Sequence, residues 1–151
     1  MPIFDYSFTV DAPLKAVRDF HHDTSVLKKL TPPPIIMQLH EFEPLGEGSI
    51  ARFTMWLGPI PLRFKAVHSD VSINGFTDTL LTSPLAAWQH THRFVAIDEQ
   101  STSVQEHIEY EHNKGLVGLF TRLMFSPIGL RFLFFYRSLV TRRGTRSSST
   151  Q

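Results

Sequence analysis

The chain has 151 residues and no cysteine, a length that suits one domain with a core of its own and a composition that excludes disulfides and thiolate metal sites. Lys and Arg number 15 against 14 Asp and Glu, a net charge of +1, so no broad field for nucleic acid exists and none is expected as a partner. At 42% hydrophobic and 19% charged residues the chain is globular rather than disordered.

Met1 to Asp5 has neither the basic start nor the apolar run of a secretory leader. Together with the missing cysteines this fits a reducing compartment, and a cytoplasmic location is expected. Leu116 to Val140 has the length of a membrane span. It carries Arg122, Arg131 and Arg137 and is interrupted by Pro127, so buried and amphipathic pieces are expected instead of a transmembrane span.

Phe4, Tyr6, Phe8 and Val10 alternate with polar residues, the period of a half-buried strand. Asp11 reads as an N-cap with Ala12 and Pro13 in the first helical turn. That helix turns Leu14, Val17 and Phe20 to the core, and a second short helix holds Val26, Leu27 and Leu30 before Thr31-Pro32-Pro33-Pro34 stops it. Strands follow over 35–42, 50–57, 62–73, 76–82, 87–97 and 102–112. Short turns join them, Asn74-Gly75 among them as the central pair of a two-residue hairpin. An antiparallel meander results. Residues 115–125 form an apolar helical piece. Ser126 and Pro127 then open a long helix to about Arg143, which Gly144 ends. Its apolar residues fall nearly all round: Ile128, Phe132, Phe135 and Leu139 on one side, with Leu130, Leu133, Phe134 and Val140 widening the stripe. Such a helix is buried on more than one side.

The expected fold is α+β: a helix-grip of six to seven antiparallel strands curved around a long C-terminal helix, with two short helices after the first strand. Residues 1–144 form the domain and 145–151 a disordered polar tail. Aromatic bulk around such a helix leaves gaps, so a mostly apolar pocket is expected inside.

The order of elements resembles the START-like (SRPBCC) superfamily, which includes Bet v 1-like proteins, polyketide cyclases and coenzyme Q-binding proteins. Phe4, Phe8, Val10, Ala12 and Pro13 look like its strand-to-helix opening. Phe76-Thr77-Asp78, then Trp88-Gln89-His90-Thr91-His92-Arg93-Phe94, resemble a motif of its cyclase/dehydrase-like branch. There a Trp-x-His-x-His-x-Phe strand precedes one bearing Thr, an acid and Tyr, here Thr102, Glu106 and Tyr110. Phe135-Tyr136-Arg137 also match. Glu106 stands where the pattern more often has Asp. The resemblance implies a helix-grip fold and a hydrophobic ligand.

Trp88, His90, His92 and Phe94 share one strand face, as do Thr102, Val104, Glu106, Ile108 and Tyr110 on the next. A symmetric hairpin sets Phe94 against Val104, His92 against Glu106, His90 against Ile108 and Trp88 against Tyr110. A His92–Glu106 pair on the pocket wall is a general base or acid with its orienting carboxylate, a grip on a polar headgroup, or a buried pair that fixes register. His90, His92 and Glu106 have the spacing of a metal trio, but the face is aromatic and no fourth ligand is evident, so no metal and no cofactor are expected. His21-His22 read as a solvated helix end. Which face of strand 50–57 points inward stays open, since Arg52, Thr54 and Trp56 oppose Ala51, Phe53, Met55 and Leu57.

The expected function is binding, with transport as an extension, of a hydrophobic small molecule: a lipid, an isoprenoid quinone or an aromatic polyketide. Trp88, Phe94, Tyr110, Phe132 and Phe135 would supply contact area, and His90, His92 and Glu106 would orient the polar end. The alternatives are a cyclase or dehydratase using His92 and Glu106, and a lipid chaperone touching a bilayer through Leu116–Phe125 and the basic tail.

Overall fold

A computed structural model describes residues 2–23 and 26–149. In chain order the elements are β1 (Ile3–Val10), α1 (Leu14–His22), α2 (Val26–Lys29), β2 (Ile36–Phe42), β3 (Ile50–Leu57), β4 (Ile60–Ser72), β5 (Gly75–Thr82), β6 (Ala87–Asp98), β7 (Ser101–Glu111), α3 (Gly115–Met124) and α4 (Pro127–Ser149). The seven strands make one curved antiparallel sheet in the order β1-β7-β6-β5-β4-β3-β2. The first strand therefore pairs with the last, and the meander runs outward to β2. This is the expected helix-grip architecture, with α3 and α4 completing it.

Three local details differ from the sequence reading. Helix α1 is capped by Pro13 without a side-chain cap bond rather than by Asp11. The turn before it is held from outside: buried Ala12 gives its carbonyl to the Thr102 hydroxyl of β7 at 2.8 Å. In the β4–β5 hairpin Ser72 pairs with Gly75, so Ile73 and Asn74 form the loop and Gly75 is already in the strand. Gly75 has φ +134, and a Cβ there would lie 1.8 Å from the His92 carbonyl oxygen. Both the positive φ and the close approach to β6 require glycine. Finally, α4 does not stop at Gly144 but continues to Ser149. The glycine is explained by packing, because a Cβ at 144 would meet Phe20 Cε2 at 2.2 Å. Thr145 is fully buried, so the segment beyond Gly144 begins as part of the domain rather than as a tail. The Ser126 cap is as expected, its hydroxyl accepting the Gly129 amide at 3.1 Å.

The phase of α4 is the larger correction. Leu130, Phe134, Ser138, Thr141 and Thr145 are buried, while Ile128, Phe132, Phe135 and Leu139 are exposed. The buried set recurs at helical spacing, but its lower half is small and polar. Ser138 and Thr145 satisfy their hydroxyls on the helix's own carbonyls, at 2.7 and 2.8 Å, which lets α4 approach α1 closely. Hydrophobicity alone therefore points to the wrong side. The helix is buried on one face, not gripped all round.

That face packs where β1, β7 and β6 meet. Phe4, Ile108, Tyr110, Leu130 and Phe134 form one apolar cluster there, and Phe8, Val10, Val17, Phe76, Phe94 and Val104 form another under α1. A third, with Met37, Ala51, Phe53, Phe64 and Ala66, lines β2–β4. Ala51, Phe53 and Met55 thus point inward, which answers the question left open for that strand.

Candidate functional site

The inward faces of β4, β5, β6 and β7 carry two adjacent rungs of polar residues. Register sets His68, Asp78, His90 and Ile108 on one rung, and Phe76, His92 and Glu106 on the next. The two rungs are two residues apart on each strand, so all these side chains share one face. The register between β6 and β7 is the expected one, pairing Phe94 with Val104, His92 with Glu106, His90 with Ile108 and Trp88 with Tyr110. It holds because Trp88, Phe94, Val104 and Ile108 all seek the interior, and a slip by one would expose them.

Bonds run straight and diagonally between the rungs. Glu106 Oε2 accepts from His90 Nε2 at 2.6 Å and lies 3.0 Å from His92 Nδ1. His92 Nε2 donates to Asp78 Oδ2 at 2.9 Å. The other Asp78 oxygen lies 2.9 Å from His68 Nε2, and His68 Nδ1 sits 2.9 Å from the Ser49 hydroxyl. The contacts at His92 Nδ1 and Asp78 Oδ1 are close as charge pairs but poorly aligned as hydrogen bonds. His92 also stacks on Phe76 with ring centroids 4.3 Å apart, a favourable seat for a cation.

This arrangement drives the two central imidazoles apart in basicity. Burial opposes a charge on His92, but the Glu106 charge and the hydrogen bond to Asp78 outweigh it and raise its pKa to about 9. Burial and the His92 charge push His90 down to about 4 despite Glu106. His68 is raised: burial opposes this, and the hydrogen bond and charge of Asp78 prevail. Against their own burial, Asp78 is held well below the usual carboxylate range by bonds from His68 and His92, and Glu106 by the charges of His92 and His90. At neutral pH an imidazolium, His92, therefore stands 3.8 Å (ring to ring) from a neutral imidazole, His90. With both nitrogens facing carboxylates, the His92 imidazole holds its second proton at neutral pH.

A cavity of about 160 Å³ opens on this cluster. Apolar residues of β3–β5, among them Phe53, Met55, Phe64 and Leu80, make one wall; α2, Phe125 and Leu133 make the others. Trp88, His90 and His92 line it. Glu106 sits behind the two histidines as their anchor. Phe94 and Tyr110 are sealed in the core clusters. Phe132 and Phe135 lie outside, beside Tyr6, Ile128 and Arg131 in a shallow surface depression, because α4 presents its other face.

Three polar wall residues, His68, His21 and Arg137, were missed or misplaced, and for Asp78 the sequence reads equally as a neighbour of the histidine strand or as a surface acid. His68 and Asp78 lie on other strands, and only the sheet register joins them to the His-x-His pair. His21 is not a solvated helix end. Its Nδ1 donates to the Val17 carbonyl at 2.8 Å, its ring lies 4.7 Å from Phe94, and burial followed by the His92 charge lowers its pKa to about 4. Arg137 reaches the cavity from α4. The donor atoms of Asp78, His90 and His92 lie within 4.8 Å of one another, the spacing of a possible metal trio. It contains Asp78 in place of the Glu106 weighed from sequence.

No helix among the described residues is by itself long and apolar enough to cross a membrane; α3 and α4 meet that length and composition only as a pair bent by 46°. No protein-family model and no curated sequence matches the chain. Solved structures do match. A START superfamily protein from Mycobacterium smegmatis superposes with a TM-score of 0.72 at 12% identity, covering 96% of this chain and 97% of that one. The aromatase/cyclase ZhuI from Streptomyces sp. R1128 gives 0.68 at 14%, covering 99% and 93%. Norcoclaurine synthase from Thalictrum flavum gives 0.69 at 14%, covering 94% and 84%. At these identities the likeness establishes the fold and leaves function to the site.

Proposed function

We propose, with the START-like helix-grip fold as the premise, that this chain binds and carries a hydrophobic small molecule with one polar end, of the class of a lipid, an isoprenoid quinone or an aromatic polyketide. The observation that carries this reading is the pairing of an apolar-walled cavity with a charged imidazole–carboxylate cluster on one side of it. Apolar walls bind the body, and the cluster offers neutral imidazoles at His90 and His21 beside the charged His92. Native mass spectrometry of the purified protein, followed by denaturing extraction, is the test. Retained apolar ligand in the wild type, lost in a cavity-filling Leu80→Trp variant that still folds, supports the reading. Wild type and variant behaving alike toward a panel of such compounds defeats it.

A second reading is acid–base catalysis in the same cavity. What favours it is the split between His92, protonated at neutral pH, and His90, unprotonated beside it, since paired groups with divergent pKa values are how sites divide acid and base roles. In that case His92→Gln abolishes turnover of a polyketide-like ketone and leaves its affinity within a few-fold.

The lipid-chaperone reading is favoured by the outer side of α3 and α4. Leu116, Leu123 and Ile128 are 85%, 76% and 83% exposed. Between Asn113 and Gln151 the chain has seven Lys and Arg and no acid. An apolar strip flanked only by cations suits an anionic bilayer. Flotation with anionic vesicles, absent with zwitterionic ones and lost in Leu116→Ser/Leu123→Ser, is the expected outcome.

A further inference from the structure

The buried ionised groups of the cavity wall are not all met by an opposite charge at contact distance. Asp78 is engaged by His68 and His92, and Glu106 by His90 and His92. His21 spends its Nδ1 proton on a backbone carbonyl. Arg137 remains. Its Nε donates to the Leu30 carbonyl at 3.3 Å, and its guanidinium carbon lies 5.3 Å from the centroid of the Phe134 ring. Among the described residues no carboxylate lies within the 4.0 Å of an ion pair with it. Asp23 also borders the cavity, but on its exposed rim.

A guanidinium keeps its proton even when burial lowers its pKa, as it does here. Arg137 is half-buried, and the charges of Glu106 and Asp78 favour its charged form from a distance, but neither carboxylate meets it at ion-pair distance. The two terminal nitrogens form a planar fork shaped for a carboxylate or a phosphate. An anion arriving with the ligand would complete the wall.

We propose that the ligand of this cavity is an amphiphilic organic anion, whose charged end is received by Arg137 while its apolar body lies against β3–β5. The proposal rests on the ligand-binding reading above and narrows it to a chemical class. Neutral quinones and alcohols become the weaker binders, and acids or phosphate monoesters with apolar bodies the stronger.

The test uses the full chain and three probes of equal chain length: decanoate, decyl phosphate and decan-1-ol, titrated by calorimetry at pH 7. The wild type is expected to bind at least one anion tenfold or more tighter than decan-1-ol. Which anion leads distinguishes a carboxylate from a phosphate head. Arg137→Met, a shape-conserving change, is expected to erase that preference and leave decan-1-ol affinity within threefold, which also reports that the variant is folded. Arg137→Lys is expected to keep a reduced preference. Equal affinity for alcohol and anions in the wild type, or a preference that survives in Arg137→Met, overturns the proposal while leaving the cavity as a binding site. Failure of all three probes to bind overturns the binding reading and this proposal with it.

Discussion

The two halves of the sheet use the same alternation of inward residues and end up differently. Under β1, β7 and β6 the interior is closed: Phe94, Val104, Ile108 and Phe134 have no exposed surface at all. Under β2–β5, Phe53, Phe64, Met55 and Leu80 face a void. The difference lies in the covering helix, since α4 packs on β1 and α1 and leaves the other half roofed by α2, Leu133 and Phe125. A filled core and a binding cavity are therefore the same sheet with and without a lid of side chains.

Substitutions that contrast the halves sharpen this view. Phe134→Ala is expected to cost about 3–5 kcal/mol by opening a cavity in close packing, whereas Met55→Ala, beside space that is already empty, costs about 1 kcal/mol. Denaturant midpoints compared at equal m-values check the pair; equal costs would mean the cavity collapses in solution. Glu106→Ala leaves His92 and His90 without their shared anchor and is expected to destabilise by about 3–5 kcal/mol, as removal of one partner of a buried charged network does. Its second signature is a fall in the His92 pKa, read from imidazole proton shifts.

Stability should also depend on pH in both directions. The folded pKa of His92 is raised from 6.5 to about 9. Its contribution is therefore complete below pH 6.5 and is lost as pH climbs through 9. His90 and His21 are depressed from 6.5 to about 4, so folding loses stability as pH falls from 6.5 toward 4. The alkaline limb is on the order of 3 kcal/mol and the acid limb, which sums two histidines, about twice that, with the maximum near neutrality. Melting temperature against pH measures it, and His92→Gln is expected to flatten the alkaline limb and, because the His92 charge helps to depress His90 and His21, to shrink the acid limb as well. Gly144→Ala is a test of sign. Helix propensity favours alanine by about 1 kcal/mol, yet the Phe20 ring occupies the space, and a net loss of about 1–2 kcal/mol is expected from overpacking. The smallest effect belongs to the outer face, where Leu123→Ser should change stability by less than about 0.5 kcal/mol while abolishing vesicle flotation.

How much of this was legible in the sequence follows from where each signal sits. The β6–β7 register was readable because both strands alternate cleanly and share one short hairpin. The His92–Glu106 contact came with it. His68 was not placed and Asp78 was left between the histidine strand and the surface, since their pairing depends on bulges in β4, where the register shifts between Lys65 and Ala66 and again between Ser69 and Ser72. The side of α4 was misread because Ser138, Thr141 and Thr145 look like surface residues until helix–helix contact gives them a reason to be small. His21 was misread because a histidine in a last helical turn has an obvious electrostatic role, and only the fold shows Phe94 and the cavity beside it. Arg137 drew notice only as part of a motif.

Gly75 carries one more implication. With a methyl group there, the His92 carbonyl would have to retreat by more than an ångström, and His92 is the residue on which both carboxylates converge. The spacing of the whole imidazole array is thus gauged by a missing side chain at the mouth of a neighbouring hairpin, some way from any charge. An alanine at 75 would act on the array's acidity as a wedge acts on a hinge, from outside the chemistry it changes.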